Sequence, residues 1–309
     1  MAAADVALSL VKLLGALIAS LYYILEALVV GITPRACMRK SVEGDVALVT
    51  GGGSGIGRLL CLKLAARGAK VVTWDVNATG NDETVRQVSA AGGECWAYTV
   101  DLCDRHSIYK VAARVKEEVG KVDILVNNAG IVTGRNFIDS PDELILKTFE
   151  VNTLSHFWTT KAFLPEMISA NKGHVVTVAS LAGLSGVNKL TDYCASKFAA
   201  VGFDESLRLE LLVEGHKGVH TTVVCPYYIS TGMFDGVKSS FIPILQPEYV
   251  ASEIIDGILL NRYTVILPSL CRFMILLKYI LPQKALVLLG RVTGISSSMD
   301  EFMGHRKSN

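Results

Sequence analysis

The chain is 309 residues long, enough for one large α/β domain with a buried sheet and too short for two ordinary enzymatic domains. Half of it is hydrophobic and 19% is charged, with a net charge of +1; part of the chain is therefore expected in lipid, and no basic run interleaved with aromatics points to nucleic acid. Seven scattered cysteines with no CxxC pair read as reduced thiols facing the cytosol, and six dispersed histidines at no metal-ligand spacing predict no metal site.

From Leu13 to Ile32 the sequence LLGALIASLYYILEALVVGI is apolar apart from Glu26, which matches the ~20 residues that cross a bilayer core. Asp5 comes early and no small-residue cleavage site follows, so the run reads as an anchor and not a cleaved secretory signal. Arg35, Arg39 and Lys40 follow it, against only Lys12 and the terminal amine before it, and this bias puts the downstream domain on the cytosolic side. Glu26 leaves both a simple span and a monotopic or hairpin insertion open.

After Gly44, the apolar run Asp45 to Thr50 predicts a buried strand, followed by the turn GGGSGIG (Gly51 to Gly57) and the helical run RLLCLKLAARG. Glycines let the backbone turn tightly and approach a pyrophosphate, whose charge is stabilised by amides at the helix amino terminus. A second strand, VVTWDV, ends near Asp75, where a carboxylate would hydrogen-bond an adenosine ribose and repel a ribose phosphate. No Lys or Arg lies inside the glycine turn to attract that phosphate, so NAD is preferred over NADP.

Further segments alternate: strand Cys95 to Asp101, a helix near Ser107 to Val119, strand Asp123 to Ala129, and a helix opened by Ser140-Pro141-Asp142-Glu143 with Ser140 as N-cap. Strand HVVTVAS, a helix from Thr191, strand VHTTVVCP, a helix from Pro247 and strand YTVILP complete the pattern. Such alternation with continuous Val/Ile/Leu strands implies a doubly wound parallel sheet covered by helices on both faces, a Rossmann-type α/β fold. The organisation expected is an anchor with basic flank over 1–40, the sheet domain over 41–268 and an amphipathic tail over 269–309.

TGGGSGIG, NNAG at Asn127 to Gly130, Ser180, and YCASK at Tyr193 to Lys197 together resemble the short-chain dehydrogenase/reductases over residues 41–268. The resemblance implies a catalytic set of Asn152, Ser180, Tyr193 and Lys197. It implies cofactor contacts from Gly51, Ser54, Gly55, Ile56, Gly57, Asp75, Asn128, Tyr193 and Lys197, with Asp101 and Leu102 at the adenine and Pro226, Ile229 and Thr231 at the nicotinamide. The chemistry has its own logic. Tyr193 and Lys197, four apart, share one helix face, and a nearby ammonium lowers a phenol toward working pH so that it serves as general base. Ser180 would hydrogen-bond the substrate oxygen, Lys197 would also hold the nicotinamide ribose, and Asn152 would hold a relay water. Tyr227 stands where the family usually has a glycine, and a tyrosine does not freely adopt the positive φ that glycine allows.

Around this set lie Leu181, Leu184, Val187, Tyr227, Tyr228, Met233 and Phe234, which predict an apolar pocket. Phe273 to Gly290 mixes bulky apolar residues with Lys278 and Lys284 between Arg272 and Arg291, and reads as an interfacial membrane anchor or as a helix hairpin packed on the domain. WDVN, GIVTG, PDEL, HFWTTKAFLP, AGLSGVN, DYCASKFAA and TGMF resemble the membrane-bound retinol dehydrogenases of the epidermal type, with the lipid-droplet 17β-hydroxysteroid dehydrogenases as cousins. That resemblance implies oxidation of a lipophilic alcohol, all-trans-retinol before a steroid, by a homodimer at the endoplasmic reticulum membrane or a lipid-droplet surface. From another class, an interaction protein that keeps the nucleotide fold with little activity also accounts for two anchors. Asn77-Ala78-Thr79 is a glycosylation acceptor, and a glycan there would contradict a cytosolic domain.

Overall fold

The computed structural model describes residues 3–303, and the chain divides into two compact units, Met1–Lys40 and Ser41–Asn309. In the first, α1 (Ala3–Ile32) is a single helix with Asp5 in its first turn, where a carboxylate favours the helix amino terminus. It begins ten residues before the apolar run does. Every side chain from Asp5 to Ile32 is exposed, and among the described residues this is the one helix long and apolar enough to cross a membrane.

The second unit is built on seven strands: β1 (Val46–Thr50), β2 (Lys70–Asp75), β3 (Cys95–Thr99), β4 (Ile124–Asn127), β5 (Gly173–Val178), β6 (Val219–Pro226) and β7 (Thr264–Leu267). They form one sheet in the order β3-β2-β1-β4-β5-β6-β7, every pair parallel, as the uninterrupted apolar strands require. Successive strand residues face opposite layers. Ala47 and Val49 of β1 join Leu60 and Leu64 of α2 (Gly55–Ala65) and Ile254, Ile255 and Ile258 of α8 (Pro247–Leu259) in one core. Val46 and Leu48 join Ile108 and Val115 of α4 (Arg105–Glu118) and Phe163 and Met167 of α6 (Ser155–Ser169) in the other.

The helix α3 (Ala78–Ala90) packs chiefly through polar groups. Its buried Asn81 donates to the Tyr98 carbonyl and accepts from Thr73, and its buried Thr84 donates to the Gly52 carbonyl. The strand order reverses between β1 and β4, and a parallel sheet opens its ligand crevice at the carboxyl ends of the strands flanking such a reversal.

The helix expected to open at Ser140 is α5 (Asp142–Phe149), but Ser140 does not cap it. Its hydroxyl donates back to the Asn136 carbonyl, because residues 137–139 form a short 3₁₀ turn that offers this acceptor first. From α5 the chain passes through a π-helical turn, Glu150–Leu154, directly into α6, and Asn152 lies in that turn. Beyond β7 the tail forms α9 (Cys271–Ile280) and α10 (Gln283–Val292), and residues 295–303 return along the domain surface. There Met299 is buried, and Lys189 and Lys238 pair with Asp300 and Glu301.

Candidate active site

The glycine turn leaves β1 and enters α2 at the reversal. Gly51 and Gly55 have φ of +66° and +50°, a region that favours glycine. A Cβ on Gly57 would run into the Gly51 carbonyl oxygen, so α2 starts closer to the turn than any other residue permits. Ser54 stands at the N-cap with its hydroxyl not engaged in capping. Just past β4, Asn128 donates its amide N–H to Thr50 Oγ1 at 3.0 Å and its side-chain N–H to the Thr50 carbonyl at 2.9 Å, which locks the NNAG segment to the start of the turn.

Asp75, at the end of β2, accepts from the Gly53 amide at 3.0 Å and the Asn77 amide at 2.9 Å. Its carboxylate thus sits at the lip of the turn. Arg58, just past the last glycine, points elsewhere: it donates to the Gly53 and Gly80 carbonyls and to Thr84, and so clamps the turn to α3. It is not among the residues lining the adjoining cavity.

That cavity, about 1100 Å³, fits a dinucleotide. It runs from Gly51, Ser54, Gly55, Ile56 and Gly57 past Asp75, Asp101, Leu102 and Asn128 to Ser180, Tyr193 and Lys197, and takes in Pro226, Ile229 and Thr231. Thr231 faces the turn, since a Cβ on Gly55 would lie 3.5 Å from its Cβ. The cofactor residues read from the sequence therefore border one continuous space.

The helix α7 (Thr191–Val213) carries Tyr193 and Lys197 on one face, both buried. Lys197 Nζ lies 5.8 Å from the Tyr193 ring centroid and donates to the Val178 carbonyl at 2.8 Å. Ser180, at the end of β5, accepts from the Ala182 amide at 3.1 Å and directs its hydroxyl toward the Pro226 carbonyl at 3.4 Å. Asn152 is fully buried; its amide donates to the Ile131 carbonyl at 2.9 Å and to Ser196 Oγ at 3.0 Å, and its oxygen accepts from the Ile131 amide. Lys197 Nζ and Asn152 Oδ1 converge on Gly130, where a Cβ would lie 3.4 and 3.3 Å from them.

Burial pushes the Tyr193 phenol up, opposed by the Ser180 hydroxyl beside it. The same dry surroundings push the Lys197 ammonium down to about 8. Both amide hydrogens of Asn152 are committed to the protein, and its side-chain oxygen keeps a second lone pair as acceptor.

The pocket beyond Tyr193 is apolar. Leu181, Val187, Tyr227, Tyr228, Met233 and Phe234 line it, whereas Leu184 turns into a separate small core beside Val201 and Val223. Phe234 meets the Tyr193 ring edge-on at 5.8 Å. Tyr227 has no positive φ, so the residue in place of the expected glycine is unstrained; it bonds Ser239 at 2.8 Å and walls the cavity.

Of the two readings of the tail, a helix hairpin packed on the domain is the one that accounts for this wall. The helices α9 and α10 close the cavity with Met274, Leu277, Leu286 and Val287, while Tyr279, Ile280, Leu288 and Val292 face outward. Lys278 donates to the Leu184 carbonyl at 2.7 Å and lies 5.2 Å from the Phe198 ring centroid. Phe302 packs against Phe234 with ring centroids 6.3 Å apart.

A model of the short chain dehydrogenase family matches residues 45–240. Epidermal retinol dehydrogenase 2 of Homo sapiens is 48% identical over 292 residues, which are 93% of this chain and 94% of that protein. A short chain dehydrogenase/reductase from Burkholderia phymatum, solved in complex with NAD, aligns with a TM-score of 0.71 at 27% identity, over 78% of this chain and 94% of that one. A metagenomic short-chain oxidoreductase in complex with NADP aligns with a TM-score of 0.63 at 29% identity, over 74% of this chain and 98% of that one. The match to the family model spans the glycine turn, the Asn-Ser-Tyr-Lys set and six of the seven strands, and the chain belongs to the short-chain dehydrogenase family.

Proposed function

We propose that this protein is a membrane-bound, NAD-dependent dehydrogenase of a lipophilic alcohol, all-trans-retinol in the first place, working toward retinaldehyde. The observation that carries the proposal is the single cavity that joins the glycine turn to Tyr193 and continues into an apolar chamber roofed by α9 and α10. Its far end offers few charges to grip a sugar, a nucleotide or an acid, and suits a ligand recognised by burial. The relative named epidermal retinol dehydrogenase 2 supports retinol within that class.

NAD, when bound, supplies the hydride acceptor. Asp75 would take the adenosine ribose, the amides at the start of α2 the pyrophosphate, and Lys197 the nicotinamide ribose. Ser180 would hold the substrate oxygen by its hydroxyl, and Tyr193, in the phenolate form that the Lys197 ammonium favours against burial, would accept the alcohol proton as the carbon loses its hydride. The buried Asn152 would act by fixing the Gly130–Ile131 backbone against α7. The exposed apolar helix α1 supports membrane attachment, and the outward apolar residues of α9 and α10 support contact of the tail with a lipid surface. The basic residues after α1 favour a cytosolic domain at the endoplasmic reticulum or a lipid droplet, and a homodimer is the family's usual form.

The test is product identity. Membranes holding the protein, given NAD and either all-trans-retinol or an oestradiol-like steroid, should yield retinaldehyde faster than the ketosteroid. Steroid preference would move the protein to the hydroxysteroid cousins, and no turnover of either would favour the interaction-protein reading.

A further inference from the structure

Residues 296–303 cross the alcohol end of the cavity as a strap over three loops, each of which contributes to the cavity wall, at Ile131, Val187 and Phe234. On the second loop, Asn188 donates to the Ser296 carbonyl at 3.3 Å and Lys189 pairs with Asp300 at 2.7 Å. On the third, the Lys238 amide donates to the Ser298 carbonyl at 3.1 Å, and the Met303 amide donates to the Asp235 carbonyl at 2.9 Å. On the first, the Phe302 ring lies flush against Gly134, where a Cβ would run into it. Side chains and backbone of the strap thus bind all three loops at once.

Three strap residues reach inward. Ser298 Oγ meets the Tyr228 hydroxyl at 3.2 Å, and both residues are buried. Met299, 2% exposed, shares one apolar core with Tyr193 and Tyr228, against which Phe234 and Phe302 pack. The Phe302 ring stands 6.3 Å from that of Phe234, which in turn meets Tyr228 at 5.0 Å and Tyr193 edge-on at 5.8 Å. Phe234 lines the cavity and Phe302 does not, so Phe302 stands behind the wall. A side chain in a packed core moves only into space its neighbours leave, so the ring behind Phe234 limits how far it can withdraw from the space beside Tyr193.

We propose that Phe302 is a positioning residue that sets which alcohols the site accepts, by holding Phe234 forward beside Tyr193. The inference rests on the reading of that space as the alcohol site. A primary alcohol carries one carbon substituent on its reacting carbon, whereas a secondary ring alcohol carries two and needs more width next to the base. With Phe234 held forward the site favours the narrower alcohol. The strap keeps Phe302 in place, and Phe302 acts through Phe234.

The experiment measures kcat/KM for an oestradiol-like steroid and for all-trans-retinol in the full-length, membrane-bound wild type, Phe302→Ala and Phe302→Leu. In Phe302→Ala the space behind Phe234 opens, and the steroid-to-retinol ratio should rise about tenfold with the KM for NAD unchanged. Phe302→Leu keeps most of the apolar volume and should raise the ratio about threefold; it decides the matter should Phe302→Ala fail to fold. An unchanged ratio, or an equal loss with both alcohols, would reduce Phe302 to a structural part and overturn the proposal. A wild type that oxidises neither alcohol would defeat the parent reading by itself. The proposal is then judged by equilibrium binding of the same two alcohols in the presence of NADH: Phe302→Ala should shift the ratio of the two Kd values in favour of the steroid, and an unchanged ratio, or no binding of either, would overturn it.

Discussion

The Lys197 ammonium donates to the Val178 carbonyl at 2.8 Å, which ties α7 to the carboxyl end of β5 two residues before Ser180. One bond thus sets the spacing between the helix that carries Tyr193 and the strand end that carries Ser180. Replacing Lys197 with Met fills the same space, removes the charge and leaves the Val178 carbonyl unpaired. Turnover should fall by roughly two to four orders of magnitude, and unfolding should be easier by ~1–3 kcal/mol. Steady-state kinetics and a melting curve check both, and a fully active Lys197→Met would contradict the role given to the lysine.

Asp75 governs cofactor choice through the carboxylate that accepts from the Gly53 amide. In Asp75→Ser the negative charge that repels a ribose phosphate is gone while a short polar side chain remains. The ratio of kcat/KM for NAD to that for NADP should drop at least ~10-fold, a change of ~1.4 kcal/mol. Because Arg58 is held by Gly53, Gly80 and Thr84, it is not free to grip the phosphate, so the change should come mostly from lost NAD activity and not from strong NADP use.

The seven strands, the glycine turn and the Tyr-Lys pair were legible because buried parallel strands are continuous runs of Val, Ile and Leu and because the turn admits little but glycine. The helix α3 was not, since two of its three buried residues, Asn81 and Thr84, pack by hydrogen bonds and leave only Val88 as an apolar signal. Nothing in residue type marks the π-helical turn around Asn152. The tail was ambiguous for a physical reason: an amphipathic helix looks the same whether its apolar face meets lipid or a cavity, and α9 shows apolar residues to both sides.

Lys278 fastens α9 to the loop beside Ser180 through the Leu184 carbonyl. In Lys278→Met that fastening is lost while the apolar stem of the side chain is kept, at a cost of ~1–3 kcal/mol to the closed position of α9. Amides of residues 271–280 should exchange with solvent about tenfold faster, with those of β1 and β4 unchanged. Equal exchange in the two proteins would show that α9 is held by its apolar contacts alone.

Asp204 gives a pH signature. It is fully buried on α7, pairs with Arg208 at 3.0 Å, and burial pushes its carboxyl up to about 7. A carboxyl that is more basic when folded takes up a proton on folding between about 4 and 7, so its contribution to stability is complete below that window and is lost as pH rises through it. Above about 7 it is ionised in both states and the loss levels off. The unfolding free energy of Asp204→Asn minus that of the wild type should therefore climb from pH 4 to 7 and then flatten, with a slope of at most ~1.4 kcal/mol per pH unit. A difference that does not change with pH would contradict the burial argument.

The most direct test of the central claim is NADH formation by membranes containing the wild-type protein or Tyr193→Phe, supplied with NAD and all-trans-retinol, with NADH binding followed by fluorescence in both. The expected result is retinol-dependent NADH from the wild type, its loss by at least ~100-fold in Tyr193→Phe, and equal cofactor binding by the two. Turnover that survives the loss of the Tyr193 hydroxyl would contradict the account.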